Sequence, residues 1–194
     1  MSLKERVYSV LVVSASEKFN ASLTALLPEL TYHPVQIVSS ISAAKRLTVE
    51  RVFDFVIVNT PLPDDVGTHF AIDTCRSKDT VVLLLAPSEI HAEIYDRVAE
   101  HGAFTLAKPT SKLMVATALG WMASARERLR QFEKKTLSIE DKMLEIRLVN
   151  RAKWLLIKEL KMDEPEAHRY IEKQAMDLCV SKRKVAEDII KTYT

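Results

Sequence analysis

The chain reads as an α/β protein: a doubly wound, five-stranded parallel sheet, then a long helix, then a small three-helix C-terminal domain. Three observations predict this. Aliphatic, β-branched runs alternate with helical periods five times before residue 110, the pattern of successive βα units. From Leu113 to about Leu160 there is one Gly, Gly120, and no Pro. Beyond Asp163, apolar residues again recur every three or four positions. A chain of 194 residues suits one large or two small domains, and three Gly in the whole of it favours helix.

Each element has its own signal. Val7 to Ser14 is a near-continuous β-branched run, the mark of a strand buried on both faces. Residues 17–30 have helical period and end near Pro28. A short second strand falls around Val35 to Val38, and a helix over 42–51. Phe53 to Asn59 is a third buried strand, followed by a turn over 60–67 and a helix over 68–77. Thr80 to Ala86 is the fourth strand. The helix over 88–102 ends where Gly102 can adopt left-handed geometry, and residues 103–109 form the fifth strand. In such sheets the functional crevice lies at the C-terminal ends of the strands. Met1-Ser2-Leu3 reads as a cloning remnant.

Charge is uneven. Residues 1–109 hold ten Lys and Arg against thirteen Asp and Glu, whereas residues 110–194 hold eighteen against thirteen. A basic excess on helices is usually a solvated face, so it decides nothing alone. Cys75 and Cys179 fall in different domains and read as reduced core thiols of a cytoplasmic protein. No apolar run reaches membrane-spanning length. His33, His69, His91, His101 and His168 show no metal-ligand spacing. No catalytic triad or Gly-rich phosphate loop is visible, so no enzyme activity, metal or cofactor is expected.

The strand order, Asp54 opening the third strand, Pro63 four residues after Asn59, and Lys108-Pro109 after the fifth strand resemble the receiver domain of two-component response regulators. The resemblance implies a flavodoxin-like fold over residues 1–112. It also implies a phosphoacceptor site, and here that site is degenerate. Ser14 and Ala15 stand where an acidic pair would hold Mg²⁺, which wants carboxylate oxygens. Asn59 stands at the acceptor position, and a carboxamide cannot form an acyl phosphate. Leu85 and Ala86 stand where a hydroxyl is expected, and Lys108 lacks its usual acidic partners. Asp64 and Asp65 read as a solvated loop.

The long helix carries a heptad: Ala118, Met122, Ala125, Leu129, Phe132, Thr136, Ile139, Met143, Ile146 and Asn150, spaced alternately four and three. A seam this narrow predicts a coiled coil over 113–140 and a homodimer, with Met122, Ala125, Leu129, Phe132, Ile139 and Met143 as its core, the alternative being one long helix packed on its own domains. A buried Asn150 would fix register. Ser138 with Asp141 suggests a capping box, and a break near residues 136–138.

In the last part, Asp163 is placed to cap a helix opened by Pro165, with Glu164 and Glu166 in its first turn, and Ser181 is placed to cap another. The pairs Ala152-Lys153, Glu166-Ala167, Ala175-Met176 and Val185-Ala186, with Leu155 and Ile189-Ile190, resemble in order and spacing the ANTAR domain of bacterial transcription antitermination regulators, over residues 141–194. This sequence departs from the family in having Trp154 where Gly usually follows Ala-Lys, Leu156 for the usual Met, and Ile146 for an Arg. The resemblance implies binding to hairpin loops in nascent RNA, in mRNA leaders, so that a terminator hairpin is disfavoured and the polymerase reads on.

RNA binding needs cations that track phosphate and groups that reach unpaired bases. Arg147, Arg151 and Lys158 share one helical face, and Lys153 lies to its side. Arg169 and Lys173 are four apart, and Lys182, Arg183 and Lys184 open the last helix. The expected binding face is Arg147, Arg151, Lys153, Arg169, Lys173, Lys182, Arg183 and Lys184, with Lys153 nearest a loop base. Loss of phosphotransfer leaves room for a regulatory protein partner. Two other readings stand: a DNA-binding response regulator, and a protein-binding adaptor dimer.

Overall fold

The computed structural model describes residues 6–77 and 79–193; Met1-Ser2-Leu3 lie outside them. The elements run β1 (Tyr8–Val13), α1 (Glu17–Thr24), β2 (Tyr32–Val38), α2 (Ile41–Glu50), β3 (Phe55–Asn59), α3 (Thr68–Cys75), β4 (Val81–Pro87), α4 (Ser88–Val98), β5 (Phe104–Lys108), α5 (Lys112–Leu160), α6 (Glu164–Asp177) and α7 (Lys182–Tyr193). The chain divides into two compact units, Met1–Gln131 and Phe132–Thr194.

In the first unit the sheet order is β2-β1-β3-β4-β5, with every pairing parallel. The five expected strands are present, and β2 starts earlier than its apolar stretch indicated. Alternation along each strand feeds two cores. Leu11, Val13, Val56, Val58, Val82 and Leu84 pack under α2, α3 and α4. Val10, Val12, Phe55, Ile57, Leu83 and Leu85 pack under α1 and the first half of α5. β1, β3 and β4 are therefore buried on both faces, which explains why they read as continuous apolar runs.

Glycine is required in the turn before α3. Gly67 has φ +87°, and a Cβ there would lie 2.8 Å from Val58 Cγ1. Gly102 ends the α4 region at φ 85°, after a 3-10 turn over Ala99–His101, as its placement suggested. Asp64 does more than face solvent. Its Oδ1 accepts the Ile41 N–H at 3.0 Å, and its Oδ2 accepts the Ser42 N–H and hydroxyl at 2.9 Å each. It caps the exposed donors at the start of α2 from a distant turn. Asp65 Oδ1 accepts the Gly67 N–H at 2.6 Å and closes that turn.

The heptad reading needs correction. Ala118 and Met122 are 1% and 0% exposed, inside the core under the sheet, and Ala125 and Leu129 are half-buried against the same core. Met122, Ala125 and Leu129 are thus used within the first unit, because the sheet needs a helix over that face. From Phe132 onward the seam is exposed: Phe132, Ile139, Met143 and Ile146 lie between 53% and 60%. No break occurs near residues 136–138; α5 is a single helix of 49 residues. Ser138 lies within it, far from either end. The first unit accordingly runs past the expected boundary at 112 to Gln131.

A charged cluster fastens this half of α5 beside the start of β3. Asp54 Oδ1 accepts from Arg126 Nε at 2.8 Å and from Arg130 Nη2 at 2.7 Å. Its Oδ2 accepts from the Ser9 N–H and hydroxyl. Arg130 also reaches Glu127 at 2.7 Å, and Glu127 accepts the Tyr8 hydroxyl at 3.3 Å.

The second unit is three helices. Its core is Ala152 and Leu156 from α5, Ala167, Ile171 and Ala175 from α6, and Val185, Ala186 and Ile189 from α7. Asp163 and Glu166 form a reciprocal capping box at α6, and the Ser181 hydroxyl accepts the Lys184 N–H at 3.2 Å at α7. No helix among the described residues is long and apolar enough to cross a membrane.

Candidate nucleic-acid interface and degenerate acceptor pocket

In the first unit, the C-terminal ends of β1, β3 and β5 bring three of the expected residues together. Asn59 Nδ2 donates to Ser14 Oγ at 3.0 Å, and Lys108 Nζ donates to Asn59 Oδ1 at 2.8 Å and to the Thr60 carbonyl oxygen. Ser14 and Asn59 are buried. Burial pushes the Lys108 ammonium below its ordinary value of 10.5, since its charged form loses water. Ala15 is exposed and offers no polar side chain. Leu85, opposite Asn59 in register, and Ala86 are wholly buried in the sheet's cores. The nearby hydroxyl that sequence reasoning missed is Ser88, at the start of α4, which donates to the Lys108 carbonyl at 2.7 Å. The pocket is an interlocked serine–asparagine–lysine chain.

In the second unit, the expected cations divide by what they touch. Arg147 and Arg151 on α5 and Lys173 on α6 are exposed and have no acidic partner among the described residues. Arg169 Nε donates to the Pro165 carbonyl at 3.3 Å. Arg183 pairs with Glu187 at 3.0 Å and Lys184 with Asp188 at 2.8 Å, each one turn along α7. Lys182 pairs with Glu172 of α6. Lys153 departs most from its expected role. Its side chain is 16% exposed and its ammonium meets Glu164 at 3.0 Å. It ties α5 to the start of α6, so a loop base would have to displace a carboxylate to reach it. Glu164 read in the sequence only as a partner of the helix dipole, and Glu172 was not singled out, because Lys182 lies ten residues away across a turn.

The paired residues that carry the sequence resemblance also divide. Ala152, Ala167, Ala175 and Ala186 are core positions where small side chains let three helices approach closely. Their spacing is therefore a packing pattern. Residues 138–190 match the ANTAR domain family. The C-terminal unit carries an ANTAR domain. Over nearly its whole length the chain is also similar to the transcriptional regulatory protein PdtaR of Mycobacterium tuberculosis, at 26% identity over 185 residues, 94% of this chain and 89% of that one. The first unit has the receiver fold. The non-phosphorylated HemR receiver domain of Leptospira biflexa superposes with a TM-score of 0.54 at 27% identity, covering 60% of this chain and 94% of that one. A receiver domain of an HD-domain protein from Pseudomonas fluorescens does so with a TM-score of 0.54 at 21% identity, covering 69% and 96%. The chain is thus a response-regulator-like protein with a receiver fold ahead of its ANTAR domain.

Proposed function

We propose that the protein is a transcription antiterminator that binds hairpin loops in nascent RNA through its ANTAR domain and acts as a cytoplasmic homodimer whose receiver takes no phosphate. The observation that carries the RNA reading is the set Arg147, Arg151 and Lys173, exposed on α5 and α6 of an ANTAR domain without acidic partners among the described residues. Guanidinium and ammonium groups in that condition are available to phosphate at no cost in broken ion pairs. Lys153, Lys182, Arg183 and Lys184 serve secondarily, because each must first give up a carboxylate. The pairing face is the exposed half of the seam, Phe132, Ile139, Met143 and Ile146. Phosphate independence rests on Asn59, Ser14 and Ala15, which supply neither the acceptor carboxylate nor the oxygens that Mg²⁺ requires.

The test is a salt series of binding to a short RNA hairpin. Removing one phosphate-binding cation, as in Arg147→Ala, Arg151→Ala or Lys173→Ala, should reduce the slope of log affinity against log salt by about 0.7–0.9. Lys153→Ala should change the slope less. Unchanged hairpin binding in all three variants points to the adaptor reading, and equal affinity for duplex DNA to the DNA-binding one.

A further inference from the structure

Beside the degenerate pocket lies an open cleft of about 530 Å³, between α1 and the β5–α5 turn. Its floor is apolar, from Phe19, Leu26 and Val115, and its rim carries Lys18, Lys108 and Lys112. No Asp or Glu lines it among the described residues. Lys18 and Lys112 are exposed and have no ion-pair partner among the described residues. Lys108 donates to Asn59 Oδ1 and the Thr60 carbonyl, which leaves one of the three ammonium donors without a partner among the described residues. Clefts of this size suit small ligands, with apolar walls that supply affinity and a few polar groups that supply orientation.

We propose that this cleft is a binding site for a small amphipathic anion, a carboxylate or phosphate monoester carried on a short alkyl or aryl body. Three cations on one rim repel a cationic ligand and leave a neutral one unrewarded. The floor gives a bare inorganic anion nothing to bury. Only a molecule with both parts satisfies rim and floor together, and its headgroup takes the place of counter-ions in solution. Val115 and Lys112 belong to the first turn of α5. An anion there lies against the start of that helix.

The experiment is titration calorimetry on the full-length chain with octyl phosphate below its micelle concentration. Inorganic phosphate and octyltrimethylammonium serve as the headgroup-only and charge-reversed probes. Saturable one-site binding of octyl phosphate, at least tenfold tighter than either control, is the expected result. The double variant Lys18→Gln, Lys112→Gln, both exposed and so without cost to the fold, should weaken it about tenfold with circular dichroism unchanged. Equal binding of the cationic probe, or binding indifferent to the lysine pair, overturns the proposal, as does absence of saturation. Co-sedimentation with phosphatidylglycerol vesicles without binding of the free probe would assign these lysines to a membrane surface and overturn it as well.

Discussion

Asp54 and Arg126, 72 residues apart in sequence, meet through a 2.8 Å charge-assisted hydrogen bond beside the start of β3. Burial alone would raise the Asp54 carboxyl. The Ser9 N–H and the guanidinium groups of Arg126 and Arg130 outweigh it and hold the carboxyl below its ordinary 3.8. A depressed folded value means that the carboxylate stabilises the fold above pH 3.8, and that this contribution is lost as pH falls through the folded value. Denaturant midpoints of the wild type should therefore drop on acidification below about pH 4, and Asp54→Asn should drop less steeply there. At pH 7 that variant should lose about 2–3 kcal/mol, less than a fully buried pair would, because Arg130 keeps some access to water.

Restoring the acceptor alone should not restore phosphotransfer. In Asn59→Asp the new carboxylate would sit beside Lys108 and Ser14, with no second acid to complete a Mg²⁺ shell. Incubation with acetyl phosphate and Mg²⁺ should give no mass increase in wild type or in this variant. An acid-labile adduct on the wild-type receiver would refute phosphate independence.

The two halves of the heptad should respond differently to mutation. Met143→Glu and Ile139→Glu place a charge on exposed positions and should shift the protein from dimer to monomer in light scattering, with little loss of thermal stability. Met122→Ala opens a cavity under the sheet and should cost about 2–5 kcal/mol without changing the assembly state. Monomeric wild type at micromolar concentration would remove the seam's proposed role.

The two thiols should be separable. Burial pushes the Cys75 thiol up to about 11, whereas Cys179, expected in a core, is exposed just past the end of α6. At pH 8 a maleimide should label one equivalent quickly, and Cys179→Ser should abolish that fast phase.

Much of the fold was legible because periodicity and burial coincide. β1, β3 and β4 are apolar on both faces, and Asp163 and Ser181 cap helices as their local chemistry demands. The heptad misled for a physical reason. Covering a sheet and pairing with another helix both ask for an apolar stripe at nearly the same spacing, and Met122 and Met143 look alike until the sheet is in place. Lys153 misled for another: its partner Glu164 is eleven residues away, across a turn whose angle the sequence does not state.

The burial of Ala118, Leu119 and Met122 also sets the order in which the protein can be made. Four parallel pairings each wait for a crossover, and one face of the finished sheet stays only partly covered, by α1, until a helix that begins only at Lys112 has left the ribosome. A nascent chain released at Pro109 would present Phe55, Ile57, Leu83 and Leu85 to water without the α5 side chains that cover them, a strong template for aggregation. Vectorial synthesis thus makes completion of the first unit depend on the helix that leads into the unit that follows.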